Sequence, residues 1–222
     1  MTLTELVTVM AITSVVLTML GTVMVSLAKQ NGINLARQQT VDSMRVASDW
    51  LSEALDHAAS DPDDIEGSVF TLAQAKKMVF TSALEDSDQT RRLVSRVMLV
   101  LGEECWSGKK AEPDVLRRCI QRPFIKPDGA ASWCTPGAKD CPAQLFDETV
   151  LARSVKNQGV FSYALEVSPG AEGMMAPIPA SFLSQIAAVE VNITMKGDPA
   201  SSGDKVESTL IKRHNVKGWR KL

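Results

Sequence analysis

The sequence predicts an α+β protein in which one long N-terminal helix, first apolar and then amphipathic, packs on an antiparallel β-sheet globular domain. The first sixty residues contain no proline, and their apolar side chains recur every three or four positions between Val41 and Ala58. That spacing is the period of one face of a helix. The rest of the chain consists of short apolar or alternating segments separated by Gly, Pro, Asp and Ser, which is typical of antiparallel strands. A helix followed only by strands favours packing of the helix on one sheet.

The helix begins with an uncharged segment long enough to cross a membrane. Glu5 is the one charged side chain before Lys29, and the uncharged segment runs from Leu6 to Ala28. At about 1.5 Å per residue, this segment spans about 34 Å as a helix, which matches the hydrocarbon core of a bilayer. A carboxylate at the edge of such a segment is costly to bury unless a positive group pairs with it. Residues 1–28 are therefore predicted to be a transmembrane helix or the core of a helical assembly, with the α-amino group of Met1 as the candidate partner of Glu5.

The second part of the helix, residues 29–60, is predicted to be amphipathic. Its apolar positions alternate with Arg, Asp, Gln and Glu, so that one face can cover a sheet while the other meets water. Asn31-Gly32 is a possible bend, since glycine weakens a helix. The helix is predicted to end near Ser60, because the residues before Pro62 leave the helical region.

Residues 61–222 are predicted to form the β-rich domain. Val189, Val191, Ile193 and Met195 alternate with polar residues and predict one buried strand face. A short helical turn is expected at 181–185, and an irregular loop over 123–142, which is rich in Pro and Gly. The predicted strands are, in order, 69–72, 78–81, 91–101, 115–121, 149–155, 160–167, 186–195 and 205–213.

Four cysteines lie in the segment 102–147, which is predicted to be a disulfide-bearing insertion. They are Cys105, Cys119, Cys134 and Cys141. An even number of cysteines in an exported domain is typical of disulfides. We favour Cys105–Cys119, on neighbouring strands of one hairpin, and Cys134–Cys141, because each pair closes a short local loop. A zinc site built from four thiolates is the alternative, although its usual close cysteine spacing is missing; free thiols are expected in a reducing compartment.

Composition and motifs argue against catalysis. The net charge is −2 and the isoelectric point is about 5.8, so global charge does not indicate nucleic-acid binding. The two histidines, His57 and His214, are far apart in the chain. The sequence contains no P-loop, dinucleotide-binding, zinc-protease or serine-hydrolase motif. We therefore expect a protein that is not an enzyme and that needs no cofactor.

Two kinds of charged cluster are weaker candidates for binding sites. Carboxylates gathered just after the helix would suit a hard cation such as Ca²⁺, although a solvated turn explains them more simply. They are Asp61, Asp63, Asp64 and Glu66. Two basic regions would suit DNA, although contacts with acidic neighbours or with water explain them more simply. These regions are Lys109, Lys110, Arg117, Arg118, Arg122 and Lys126, and Lys212, Arg213, Lys217, Arg220 and Lys221.

Three interpretations of the apolar start compete. A secretory signal peptide needs a positive start and a shorter apolar core, and neither is present here. A plain membrane anchor explains the length of the segment but not the carboxylate of Glu5. The third interpretation is that Met1 is a residue exposed by proteolytic processing, so that its amino group lies next to Glu5.

The third interpretation rests on a resemblance. Met1-Thr2-Leu3-Thr4-Glu5-Leu6 followed by an apolar helix resembles the mature N-terminus of the type IV pilin and type II secretion pseudopilin superfamily. The resemblance implies cleavage of a leader by a prepilin peptidase and N-methylation of Met1. It also implies that Glu5 pairs with the Met1 amine of a neighbouring subunit and so sets the register between subunits. Met1 differs from the usual Phe of the family, and Thr22 lies where major pilins often have Pro.

The C-terminal part resembles J-type minor pseudopilins and related minor pilins. The residues that carry this likeness are Phe161-Ser162-Tyr163 and Arg213-His214-Asn215. The likeness implies a minor subunit in the tip or priming complex of a filament, with other pilins or pseudopilins and an inner-membrane assembly platform as partners. It implies a single-pass inner-membrane protein with an exported C-terminal domain, which leaves the lipid bilayer when the filament forms. The alternatives are a major or adhesive pilus subunit, or a bitopic exported protein with a ligand-binding ectodomain.

Small and hydroxylated residues within the apolar segment have two possible uses. They would let neighbouring helices approach closely, or their hydroxyl groups would bond back to carbonyls of their own helix. The residues concerned are Thr8, Ala11, Thr13, Ser14, Thr18, Gly21, Thr22 and Ser26.

Overall fold

The computed structural model describes residues 2–59, 68–85, 92–106, 110–125, 131–135, 138, 141–166, 176–197 and 206–216. One long helix, α1, precedes ten strands in this part of the chain. The helix is Leu3–Asp56. The strands are β1 (Phe70–Ala73), β2 (Lys77–Glu85), β3 (Arg92–Leu101), β4 (Leu116–Gln121), β5 (Phe124–Ile125), β6 (Ala131–Ser132), β7 (Phe146–Ala152), β8 (Phe161–Leu165), β9 (Ile186–Gly197) and β10 (Val206–Asn215). Short 3₁₀ helices occupy Ala143–Leu145 and Ala180–Gln185, the second of which is the predicted helical turn.

The long helix packed on antiparallel strands confirms the α+β class. The prediction of one sheet, however, is wrong. Five strands form a sheet in the order β1-β2-β3-β4-β7, and three form a second sheet in the order β10-β9-β8. Alternation along a strand specifies which side chains are buried, but it does not specify which strand is the neighbour. The sequence pattern was therefore compatible with either arrangement.

Helix α1 is continuous through Asn31-Gly32, where a bend was predicted. The helix ends at Asp56, with His57 as its C-cap residue, a little before the predicted end at Ser60. Ser60 itself lies outside the described residues. Two contacts hold the end of the helix against β2: the Ala83 N–H donates to the His57 carbonyl at 2.8 Å, and the Ser82 hydroxyl donates to the Ala54 carbonyl at 2.7 Å.

The core lies between α1 and the inner faces of the two sheets. The four alternating side chains predicted on β9 are all buried. Phe70, Phe80 and Tyr163 form an aromatic group in this core, with ring centroids 5.9 Å apart for the first pair and 6.4 Å apart for Phe70 and Tyr163. The Tyr163 hydroxyl donates to the Gln74 carbonyl at 2.9 Å. Burial raises the pKa of Tyr163 well above its ordinary value, so this hydroxyl remains a donor at any physiological pH.

The helix and β9 approach closely where the helix enters the domain. A Cβ atom placed on Gly197 would lie 3.0 Å from the Thr40 Oγ1 atom and 3.3 Å from the Ala36 carbonyl oxygen. Ala36 and Thr40 are the first buried residues of α1, counted from its N-terminus. The small size of the residues at these three positions therefore lets the helix pack closely on β9 where its buried face begins.

Among the described residues of 123–142, where a loop was predicted, two short strands pair. Phe124 pairs with Ser132 and Ile125 with Ala131 in a small antiparallel ladder, β5-β6. Two-residue strands carry too little apolar alternation to be distinguished from a loop by sequence pattern, which explains the error.

Candidate functional site

The first candidate site is the N-terminal half of α1, which projects from the domain. Every side chain from Thr2 to Asn31 is exposed. Leu3 is 81% exposed, and Met24 and Val25 are each 71% exposed. The helix is long and apolar enough to cross a membrane. This exposed part extends for about 45 Å at the helical rise per residue, and water is an unfavourable environment for an apolar surface of that size.

Hydroxyl groups within this half bond back to the helix that carries them. Thr13 donates to the Val9 carbonyl at 2.7 Å, and Thr18 donates to the Ser14 carbonyl at 2.6 Å. The other described bonds of this kind run from Thr8 to Thr4 and Glu5, from Ser14 to Ala11, and from Thr22 to Met19. Because these hydroxyls are satisfied within the helix, the outer surface of the segment is effectively apolar. The second use is observed for these five hydroxyls, and close approach of neighbouring helices stays a prediction.

Glu5 lies in the first turn of α1, where it accepts a hydrogen bond from the N-cap residue. The Thr2 N–H donates to the Glu5 Oε2 atom at 2.8 Å. Thr2 is the N-cap residue and Glu5 the N3 residue, so the two form a capping box. The dipole of the helix also favours a negative charge at this end. The T-x-x-E spacing of Thr2-Leu3-Thr4-Glu5 is the sequence signal of this cap, which was not among the predictions. Met1 lies outside the described residues.

The second half of α1 fixes the helix to both sheets. Its buried residues face the core: Ala36, Thr40, Met44, Ala47, Ser48, Leu51, Ala54 and Leu55. At the margin, the Arg118 guanidinium carbon lies 4.9 Å from the centre of the Trp50 ring, which is favourable for a cation–π contact. On the other side, the Lys212 Nζ atom of β10 lies 3.3 Å from the Asp49 Oδ1 atom. These contacts fix the second half of α1 to the domain on both flanks. The apolar first half is attached to the domain through the continuous helix.

The two disulfides join Cys105 to Cys119 and Cys134 to Cys141, the pairs that sequence separation favoured. Cys119 lies on β4 as expected, whereas Cys105 lies in the connection after β3 and not on a strand. Val79, Met98, Cys119 and Glu148 are successive cross-strand partners. They therefore share the sheet face that is turned away from α1.

The segments that contain Cys105 and Cys134, each held by one of the two disulfides, cover that outer face. Cys105 and the partly buried Trp106 pack against Val79, Met98 and Val100. The second segment is held by the Gln121 side-chain amide, which donates to the Cys134 carbonyl at 2.6 Å. In addition, the Arg96 guanidinium carbon lies 4.6 Å from the centre of the Trp133 ring. The face of the sheet opposite to the helix is thus buried under chain that the disulfides hold in place.

Arg117 and Arg118, which were considered for DNA binding, pair with carboxylates. The Arg117 side chain is only 6% exposed; its Nη1 atom lies 2.9 Å from the Glu148 Oε1 atom, and its Nη2 atom lies 3.2 Å from the Glu112 Oε1 atom. The Arg118 Nη2 atom lies 3.1 Å from the Asp147 Oδ2 atom. Contacts with acidic neighbours, the simpler explanation, account for both. Lys109, Lys126, Lys217, Arg220 and Lys221 lie outside the described residues.

Asp61, Asp63, Asp64 and Glu66, the candidate cation ligands, lie outside the described residues as well. Within the described part of the chain, no group of three or more His, Cys, Asp or Glu side chains is placed to hold a metal ion.

Sequence reasoning missed two buried charged or titratable groups. Arg117 was assigned to a basic surface, but it is buried on the outer face of the five-stranded sheet. His214 was noted as part of a family resemblance, but it is buried against α1. Arg117 and Cys119 are two residues apart, which is the spacing of side chains on one face of a strand, so the sequence could have placed both on the same face of β4. No sequence signal indicates that His214 contacts the helix.

A comparison with protein-family models finds no match to this sequence, and a comparison with curated proteins finds none either.

Proposed function

We propose that this chain is a minor pilin or pseudopilin subunit, which assembles through α1 into a type IV-like filament. The observation that carries the proposal is the division of one continuous helix into two halves. Its second half is fixed to the domain by a buried face, whereas its first half exposes a surface without a charged side chain between Glu5 and Lys29. A subunit of this shape can wait in a bilayer and then exchange lipid for the same apolar surface of its neighbours.

Glu5 supports assembly over simple anchoring. A bilayer anchor gains nothing from a carboxylate at the edge of its apolar segment, because burial of the charge is unfavourable. In a bundle of such helices, the α-amino group of a neighbouring chain can neutralise the carboxylate. The Thr2 N–H already orients the Glu5 carboxylate toward the helix N-terminus, the end at which such amino groups lie.

The domain would determine which subunits lie above and below this one. The outer face of its five-stranded sheet is already covered by the disulfide-linked segments. The domain therefore does not extend the exposed apolar surface of the helix. The likeness to J-type subunits favours a place in a tip or priming complex with other pilins or pseudopilins. Prepilin peptidase and the inner-membrane assembly platform would then be its other partners.

The test compares incorporation into filaments with insertion into the membrane. Glu5→Ala removes both the charge and the acceptor of the Thr2 N–H, whereas Glu5→Gln removes the charge and keeps an acceptor. Glu53→Ala is the matched control, because Glu53 is an exposed carboxylate of the same helix within the domain. Each variant is quantified by immunoblot in the membrane fraction and in purified filaments.

We expect Glu5→Ala and Glu5→Gln to insert normally but to be depleted from filaments by at least about tenfold, the loss expected when a pair worth about 1.4 kcal/mol or more is removed. Glu53→Ala should incorporate like the wild type. Normal incorporation of Glu5→Gln would show that Glu5 only caps its own helix, and normal incorporation of Glu5→Ala would overturn the assembly role.

A further inference from the structure

His214 is buried at the contact between β10 and α1. It is 4% exposed and lies opposite Val189 of β9. Its Nε2 atom lies 3.5 Å from the Oγ atom of Ser48, which is 2% exposed. Neutral imidazole suits this position, because one hydroxyl at that distance is poor compensation for a buried imidazolium.

Charged groups act on this ring from both elements that meet there. Lys212 precedes His214 by two residues on β10, and therefore lies on the same strand face and disfavours a second positive charge. Asp49 and Asp56 of α1 favour the imidazolium, but the Asp49 carboxylate is already bound to Lys212. On β9, Glu190 pairs with Arg213 and so lies on the opposite face of the sheet. Burial outweighs the two carboxylates and lowers the pKa of His214 below its ordinary value near 6.5.

We propose that His214 is a proton-sensitive contact between the long helix and the three-stranded sheet. When the ring is neutral, Ser48 and the neighbouring apolar residues of α1 pack against β10. When the ring is protonated, the helix detaches locally from β10, because the imidazolium gains hydration only if this contact opens. The five-stranded sheet stays intact, since its strands and the Cys105–Cys119 disulfide lie elsewhere in the domain.

The direction of the pH dependence follows from the lowered pKa. The unfolded or detached state binds the proton more readily than the packed state, so the packed state is favoured above the ordinary pKa of histidine. This stabilisation is lost as the pH falls through about 6.5 toward the lower pKa of the packed state. Each unit by which the pKa is lowered corresponds to about a tenfold change in the local opening equilibrium.

The chain offers a matched control, because its second histidine, His57, is exposed at the end of the same helix. Hydrogen exchange of the full chain in detergent micelles is measured by mass spectrometry at about pH 7.5 and about pH 5, one unit or more on either side of the ordinary pKa of histidine. Rates are corrected for the intrinsic effect of pH. The wild type and the variants His214→Gln and His57→Gln are compared.

We expect acid to increase exchange of peptides from residues 44–56 and 206–216 several-fold in the wild type and in His57→Gln, with little change in β2, β3 and β4. His214→Gln should abolish this increase. An acid response that persists in His214→Gln, or that affects all strands equally, would overturn the proposal.

A second measurement does not depend on the folding of His214→Gln. The ring resonances of the two histidines are followed by NMR during a pH titration of the wild type, with His57→Gln used for their assignment. A midpoint for His214 below 6.5 is expected. A midpoint above that value would show that Asp49 and Asp56 stabilise the imidazolium, and the proposal would be wrong.

Discussion

Glu5 is bound within its own helix by the backbone of Thr2. The Thr2 N–H donates to one carboxylate oxygen, Oε2, and a carboxylate can accept several hydrogen bonds. A capping box and an intersubunit ion pair are therefore compatible at the same residue. The cap places the charge at the N-terminal end of the helix, and in the proposed filament the same side chain would pair with the amino group of a neighbour.

Arg117 shows how charge is used inside the domain. Its guanidinium is bound by Glu148, whose side chain is 11% exposed, and by Glu112 at the surface. The Lys110 carbonyl accepts a further bond at 3.3 Å. The arginine thus ties the connection before β4 to strand β7 across the outer face of the sheet.

Replacement of Arg117 by Ala is expected to lower the free energy of unfolding by about 3 kcal/mol, because it removes one member of a buried ion pair. Arg153→Ala is the control: Arg153 also lies 3.1 Å from Glu112, but its side chain is 63% exposed. Such an exposed pair contributes about 1 kcal/mol or less. Urea denaturation of the two variants measures both values, and an equal loss in both would contradict a structural role for the buried pair.

Among the elements, α1 combines two environments without a break. From Thr2 to Asn31 its side chains are exposed, and from Ala36 onward one face is buried. The transition coincides with the close approach of Gly197 to Ala36 and Thr40. The position at which the helix leaves the domain is thus set by three small residues.

The disulfides hold the segments that cover the outer face of the five-stranded sheet. Both sulfurs of Cys105–Cys119 belong to buried residues packed against Val79 and Met98, whereas Cys134 and Cys141 are only half-buried. We expect Cys105→Ala/Cys119→Ala to lower the free energy of unfolding by about 3 kcal/mol or more, the loop-closure contribution for a loop of this length plus the loss of packing. Cys134→Ala/Cys141→Ala should cost less, and urea denaturation of the two double variants ranks them. The reverse order would show that the outer face does not depend on the first disulfide.

For the whole molecule, the features that could be predicted from the sequence are those that depend on local spacing of apolar residues. The helix followed from its three-and-four spacing, and the buried face of β9 followed from strict alternation at Val189, Val191, Ile193 and Met195. What was missed depends on contacts between distant segments. Glu148 reaches Arg117 only because β7 pairs with β4, and Ser48 meets His214 only because β10 crosses α1. Periodicity specifies faces but carries no information about such partners.

At the scale of the whole molecule, the main question is what covers the exposed half of α1. An anchor would keep this surface in lipid, whereas a filament subunit would bury it among helices of the same kind. The two states differ in the immediate neighbours of residues such as Leu17, which is 62% exposed in the middle of the apolar segment. Val46 is 65% exposed on the half that is fixed to the domain and serves as the reference position.

A photo-crosslinking amino acid placed at position 17 or at position 46 measures those neighbours directly in cells that assemble filaments. Assembly through α1 predicts protein adducts with other pilins or pseudopilins from position 17, which disappear when Glu5→Gln is added while the chain remains in the membrane. If the filaments are intact and the level of this chain is normal, adducts from position 17 with lipid alone would rule out assembly through α1.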